Sequence, residues 1–162
     1  MEQLYIGVVG SGSGLSEAEA TAAREVGEEI ARRGAVLVCG GLGGVMEAAA
    51  AGAKAAGGTV IGILPGLTRA GANPYVDIAI PTGLEEARNV LIVRASDALI
   101  AVGGEFGTLS EIAFALKTGK PVVGLGTWVL SKAGHEVDAV TNAKRPAEAV
   151  EKAFRLASGR DK

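Results

Sequence analysis

The sequence predicts an α/β fold, a doubly wound parallel sheet flanked by helices on both faces. Three observations point to it. Apolar runs of strand length alternate at short intervals with stretches of helical spacing. Aromatic residues are only 4% while hydrophobic residues reach 48%, so the core is built from Ala, Val, Ile and Leu, a composition that suits a parallel sheet covered on both sides. Three apolar runs end in glycine clusters that open onto helices, which puts all three clusters on one rim of a right-handed parallel sheet.

Taken in order, Tyr5–Val9 reads as a first strand, followed by Gly10-Ser11-Gly12-Ser13-Gly14. Ser16-Glu-Ala-Glu19 matches a capping box and opens a helix to about Arg33, with Ala20, Ala23, Val26, Ile30 and Ala31 inward and Gly34 at its end. Ala35–Cys39 is a second strand, followed by Gly40-Gly41-Leu42-Gly43-Gly44 and an Ala-rich helix from Val45 to Ala56. Gly57-Gly58 ends that helix, and Thr59–Leu64 is a third strand. After a Pro/Gly loop, Tyr75–Ile80 reads as a fourth strand stopped by Pro81. Thr82-Gly-Leu-Glu85 is a second capping box, opening a helix to about Ser96 with Leu91, Ile92 and Ala95 inward.

Asp97–Val102 is the next strand. Gly103-Gly104-Glu105-Phe106-Gly107 then leads into a helix from Thr108 to Thr118, and Pro121–Leu125 is a further strand. Glu136–Val140 is expected as a last short strand, Pro146–Ala157 as a last amphipathic helix, and Ser158–Lys162 as a frayed tail. The chain reads as one domain over 1–162.

Several function classes are disfavoured at once. A net charge of −2 argues against a nucleic-acid partner. No signal segment and no apolar run of membrane length appears, so the expectation is a soluble, cytoplasmic protein with no membrane partner. One cysteine, Cys39, allows no internal disulfide and reads as a small buried hydrophobe. One histidine, His135, leaves no His/Cys metal cluster and no convincing Ser-His-Asp triad. Gln3 is the only glutamine and Asn occurs three times, a thin use of thermolabile residues that hints at a thermophilic source.

The rim is more informative. Glycine makes up 25 of 162 residues, about twice the usual share, and clusters at strand ends. Exposed backbone N–H groups at helix N-termini favour an anion. Three such corners on one rim imply a phosphate or another oxyanion. A conventional dinucleotide fingerprint fails, because Leu15 and Met46 stand where the third glycine belongs and Cys39-Gly40 supplies no acid for a ribose. No Gly-x4-Gly-Lys-Ser/Thr is present. The phosphate is expected on the backbone N–H groups from Gly104 through Phe106 and Gly107 to Thr108, with Gly103 beside them and Gly10, Ser11, Gly12, Gly40, Gly41, Gly43 and Gly44 lining the pocket.

Two side chains are candidates for chemistry. Thr108-x-x-Glu111 reads as a third capping box, and the same spacing also sets a carboxylate beside the anion corner, where it would steer a hydroxyl or a water. Arg88 lies near the start of its helix and reads by spacing as a solvated charge paired with Glu85.

The segment Gly103-Gly104-Glu-Phe-Gly107-Thr108-Leu-Ser-Glu111 resembles the Pro-Gly-Gly-x-Gly-Thr-x-x-Glu signature of the Lonely Guy (LOG) cytokinin nucleotide phosphoribohydrolases, once labelled possible lysine decarboxylases. Gly40-Gly41-x-Gly43-Gly44-x-Met46, with Gly52-Ala53 beyond it, resembles that family's second glycine motif. The resemblance runs from about Ile6 to Leu125. It implies a Rossmann-like fold, a homodimer or higher homo-oligomer, and cleavage of the N-glycosidic bond of a nucleoside 5′-monophosphate. It also implies Arg88 and Glu111 as the catalytic pair and Met46 as part of the site.

Three positions depart from the family pattern: Asn89 stands where Lys follows the arginine, Gly103 where Pro opens the signature, and Glu105 where Gly is usual. In this the chain is similar to a sister group that includes molybdenum cofactor carrier proteins, which bind a phosphorylated pterin without turning it over. The ligand implied is therefore an AMP-like or pterin phosphate. No cofactor is required, with molybdenum cofactor entering as a ligand, and nothing resembles a pyridoxal-phosphate lysine site.

Overall fold

The computed structural model describes residues 2–159. Seven strands form one parallel sheet: β1 (Tyr5–Gly10), β2 (Val36–Cys39), β3 (Val60–Leu64), β4 (Ile78–Pro81), β5 (Ala98–Val102), β6 (Val122–Leu125) and, after a hairpin of β7 (Leu130–Lys132) and β8 (His135–Val137), β9 (Thr141–Asn142). Their order is β4-β3-β2-β1-β5-β6-β9, every pair parallel. The direction of winding reverses between β1 and β5, and the crevice beyond that point is where ligands bind in open α/β sheets.

Strand side chains alternate between two cores. Ile6, Val8, Leu37, Cys39, Ala98, Ile100 and Val102 point to one face, where α1 (Glu17–Arg32), α2 (Val45–Ala55) and α5 (Pro146–Ser158) cover them. Val9, Val38, Leu99 and Ala101 point to the other, under α3 (Asn89–Ala95) and α4 (Phe106–Lys117). This period-two division across a sheet buried on both sides accounts for the unbroken apolar runs. On the first face α1 and α2 meet backbone to backbone. A Cβ on Gly27 would lie 1.9 Å from Ala49 O, and one on Gly52 1.9 Å from Arg24 O.

Several elements differ from expectation for local reasons. Tyr75–Asp77 is not strand. Asn73 Oδ1 accepts from Tyr75 N at 3.0 Å and holds a turn there, so β4 begins at Ile78 and includes Pro81. Thr82 does not cap a helix: its hydroxyl donates to Leu64 O and accepts from Leu84 N. The chain instead makes a 3-10 turn over Glu85–Arg88, with Glu85 at φ 51, before α3. That shift rotates the helix, so Ile92 and Val93 are buried while Leu91 and Ala95 are exposed. Glu136–Val140 does not form one strand, since β8 pairs antiparallel with β7 and Thr141–Asn142 joins the sheet beside β6. Ser158 closes α5 and is not part of a frayed tail, and the rest of the expected tail, beyond Gly159, lies outside the described residues. No helix among the described residues is long and apolar enough to cross a membrane.

Candidate functional site

A cleft of about 450 Å³ opens at the carboxyl ends of β1, β2 and β5. Each glycine corner contributes to it, but unequally. The first gives Gly10, Ser11 and Gly12; the second gives Gly40, with Met46 from α2; the third gives Glu105, Gly107 and Thr108. Arg88, Asn89 and Ile92 close one side and Glu111 lies at its base. Gly41, Gly43, Gly44, Gly103, Gly104 and Phe106 are not among its lining residues.

The second corner mainly seats the first. Val45 N donates to Ser11 O at 2.9 Å, so the leading amide of α2 is already engaged. A Cβ on Gly44 would lie 2.1 Å from Ser11 O, and one on Gly43 3.1 Å from Gly12 O. Gly44, at φ 64, is therefore glycine both for its backbone and for this close approach. Gly41 O accepts from Asn73 N at 2.8 Å, and Asn73 Nδ2 donates to Leu42 O at 2.9 Å, which ties the corner to the following loop.

The third corner leaves the start of α4 open. The helix begins at Phe106 with Glu105 as N-cap, and no side chain caps it. Thr108 and Glu111 thus do not form the capping box their spacing suggests: both lie inside the helix, three residues apart on its buried face. The first-turn amides have no intrahelical acceptors, as at any helix start, and their partial positive charge meets the cleft at Gly107 and Thr108. Phe106 is 74% exposed and faces away, its ring 5.5 Å from that of Trp128. Gly103 and Gly104 line a second cleft of about 740 Å³ between α1, the end of β6 and the start of α5, with Thr127, Trp128 and Lys144.

Arg88 is no solvated charge. It is 8% exposed, and its guanidinium is held by the chain itself. Nε donates to Ile63 O at 2.9 Å, one terminal nitrogen reaches Gly40 O at 3.5 Å, and the other donates to Asn89 Oδ1. A Cβ on Gly40 would lie 2.8 Å from that guanidinium, so the bare backbone there makes room for the arginine. Burial pulls Arg88 below its usual value, opposed chiefly by the attraction of Glu111. Glu111 is 7% exposed, and its Oε2 has no hydrogen-bond partner among the described residues. Burial pushes its carboxyl up to about 8, with Arg88 pulling the other way. Cys39, beneath them, is pushed by burial to about 11, which leaves it an unreactive thiol.

Sequence reasoning passed over Glu86, Ile92, Thr127 and Trp128. Glu86 comes to the cleft because the chain enters α3 through a 3-10 turn, which spacing alone does not announce. Thr127 and Trp128 follow the Gly126 turn, where no periodicity exists to read.

Comparison with known proteins places this geometry. An uncharacterised protein of Archaeoglobus fulgidus is 54% identical over 125 residues, covering 77% of this chain and 82% of that one. A cytokinin riboside 5′-monophosphate phosphoribohydrolase of Mycobacterium tuberculosis is 38% identical, the match covering 65% of this chain and 62% of that enzyme. Among solved structures, the molybdenum cofactor binding protein of Rippkaea orientalis superposes with a TM-score of 0.86 at 38% identity, over 96% of this chain and 98% of that one. The molybdenum cofactor carrier protein of Chlamydomonas reinhardtii gives 0.85 at 39%, over 96% and 99%. The resemblance to the LOG superfamily and its carrier sister group, carried by the two glycine motifs, therefore holds. The family model described as the SLOG cluster4 family matches residues 3–153, and the chain belongs to that family.

Proposed function

We propose that this protein binds a phosphorylated small molecule in the first cleft and carries it without turnover, the molybdenum cofactor being the ligand class best supported. The observation that carries this reading is the buried, unpartnered Glu111 Oε2 at the base of a cleft that also meets the start of α4. An unpaired buried polar atom costs stability unless something completes it. With its carboxyl pushed up to about 8, Glu111 holds a proton at neutral pH and donates to an acceptor on the ligand, without repelling a phosphate. The first-turn amides of α4 take the phosphate. The near-complete overlap with the two molybdenum cofactor proteins supports the same reading.

Hydrolysis of a nucleoside 5′-monophosphate is the second reading, favoured by Arg88 and Glu111 lining one cleft. Two features weigh against it. The Arg88 guanidinium is engaged by Ile63 O, Gly40 O and Asn89, and a protonated Glu111 is a poor stabiliser of an oxocarbenium ion. Calorimetry with AMP and with molybdopterin, run beside an assay for free adenine and ribose 5-phosphate, separates the two. Saturable binding with no base released is expected. Adenine release that disappears in Glu111→Ala would establish the hydrolase, and that release should grow as pH rises through about 8.

We further propose that the protein self-associates through the β4 edge. Ile78 and Ile80 on that strand are exposed, as are Leu67 and Leu84 on the neighbouring loops.

A further inference from the structure

Two residues beyond β6 hold the third glycine corner from the side of the second cleft. Thr127 Oγ1 donates to Gly103 O at 2.6 Å, and Trp128 Nε1 donates to Glu105 O at 3.2 Å. Thr127 is itself fixed: its methyl carbon lies 2.6 Å from where a Cβ on Gly124 would stand, filling the space that glycine leaves and holding the hydroxyl toward Gly103. Gly103 N donates to Leu125 O at 3.0 Å, which anchors the start of the corner but not the peptide that follows. Gly103 at φ 54 and Gly104 at φ 103 occupy left-handed backbone open to glycine, where no Cβ restricts rotation.

A planar peptide unit points its C=O and N–H in opposite directions. With Gly103 O held toward Thr127, the N–H of Gly104 turns away from Thr127. Gly104 also packs on α4 directly, since a Cβ there would stand 2.5 Å from the Thr108 side chain. Thr108 lines the first cleft.

We propose that Thr127 is a positioning residue for anion binding: its hydroxyl latches the Gly103–Gly104 peptide so that Gly104 N–H joins the first-turn amides of α4 as a donor to a phosphate. Trp128 secures the latch by tying its loop to the Glu105 carbonyl. Without the latch the peptide rotates, and rotation presents the Gly103 carbonyl, an acceptor, to the anion. The proposal rests on the reading that the first cleft takes a phosphate.

The test uses Thr127→Val, which keeps the shape and removes the donor, with Thr127→Ala as a second variant and Thr127→Ser as the rescue. Calorimetry with AMP should show roughly tenfold weaker binding for Val and Ala, and Ser within about twofold of the unsubstituted protein. The Gly104 amide resonance should move on AMP addition in the unsubstituted protein and stay still in the Val variant. Crystal structures of the Val and Ala variants without ligand should show the Gly103–Gly104 peptide turned or in two orientations. An unturned peptide overturns the latch, and so does a turned peptide with undiminished AMP affinity. If the unsubstituted protein binds neither AMP nor inorganic phosphate, the proposed ligand class falls, and the peptide orientation still decides the latch.

Discussion

Replacing Glu111 by Gln tests the electrostatics of the site through stability alone, with no ligand needed. Gln keeps the shape of the side chain and cannot ionise. The wild-type carboxyl is pushed from 4.5 to about 8 in the folded state, because burial at the base of the cleft outweighs the attraction of Arg88. A group whose folded pKa is raised stabilises the fold fully below the unfolded pKa, and that contribution is lost as pH rises toward the folded value. Between about 4.5 and 8 the native protein holds a proton that the unfolded chain has released, so wild-type stability falls by ~1.4 kcal/mol per pH unit relative to Gln. Across the whole window the relative loss is about 5 kcal/mol. Urea unfolding of both proteins at pH 5, 6, 7, 8 and 9 measures it, and the difference between the curves cancels every titration they share. Glu111→Gln should lie within about 1 kcal/mol of wild type at pH 5 and exceed it increasingly up to pH 8, with a nearly constant gap above. Parallel curves across this range would mean that Glu111 is solvated or paired in solution, and the protonated donor assigned to it would be lost.

Arg88→Met should cost about 3 kcal/mol in urea unfolding, because it strands Ile63 O and Gly40 O in a buried setting, and it should move the Glu111 inflection to still higher pH by removing the opposing cation. Gly27→Ala forces a Cβ to within 1.9 Å of Ala49 O unless α1 and α2 part, so a loss of about 3 kcal/mol is expected; a loss near zero would show that the two helices do not touch as described. Ile80→Lys places a charge on the exposed β4 edge and should lower the mass measured by light scattering from that of an oligomer, while a monomeric wild type would remove the basis for self-association. Ser16→Ala should cost about 1 kcal/mol of thermal stability, since the Ser16 hydroxyl accepts from Glu19 N at the start of α1.

The strands and helices were legible wherever burial is symmetric and periodic. Ala35–Cys39 and Asp97–Val102 could hardly be anything but inner strands, and α1 announces itself through Ser16 and its apolar stripe. Between Tyr75 and Ala95 the expected strand and helix are both present but start later than the pattern suggests, because the decisive interactions are long-range or specific to one side chain. Asn73 makes a turn where the apolar pattern suggests strand, and Thr82 gives its hydroxyl to Leu64 on a neighbouring strand instead of to its own helix. The same limit applies at the site. Thr-x-x-Glu has one spacing and two meanings, set by where the helix starts. Because α4 begins two residues before Thr108, the pair lies inside the helix and turns inward. Arg88 reads as a surface charge because nothing local reveals that Ile63 and Gly40 carbonyls await it.

The three glycine corners have nearly the same composition and do three different jobs, which composition cannot distinguish. In the first, bare backbone lines the cleft, and α1 begins only after Leu15 and Ser16, with its own cap. In the second, Gly43 and Gly44 let α2 press against the first corner, and the leading amide of α2 goes to Ser11 O instead of a ligand. The third opens α4, whose start no side chain caps, onto the cleft, and there Thr127 donates to Gly103 O. The anion site we propose is thus centred on the start of α4, while the second corner holds the first in place. In the reading proposed above, the buried Glu111 complements that helix start. A single helix start gains from a proton donor below it.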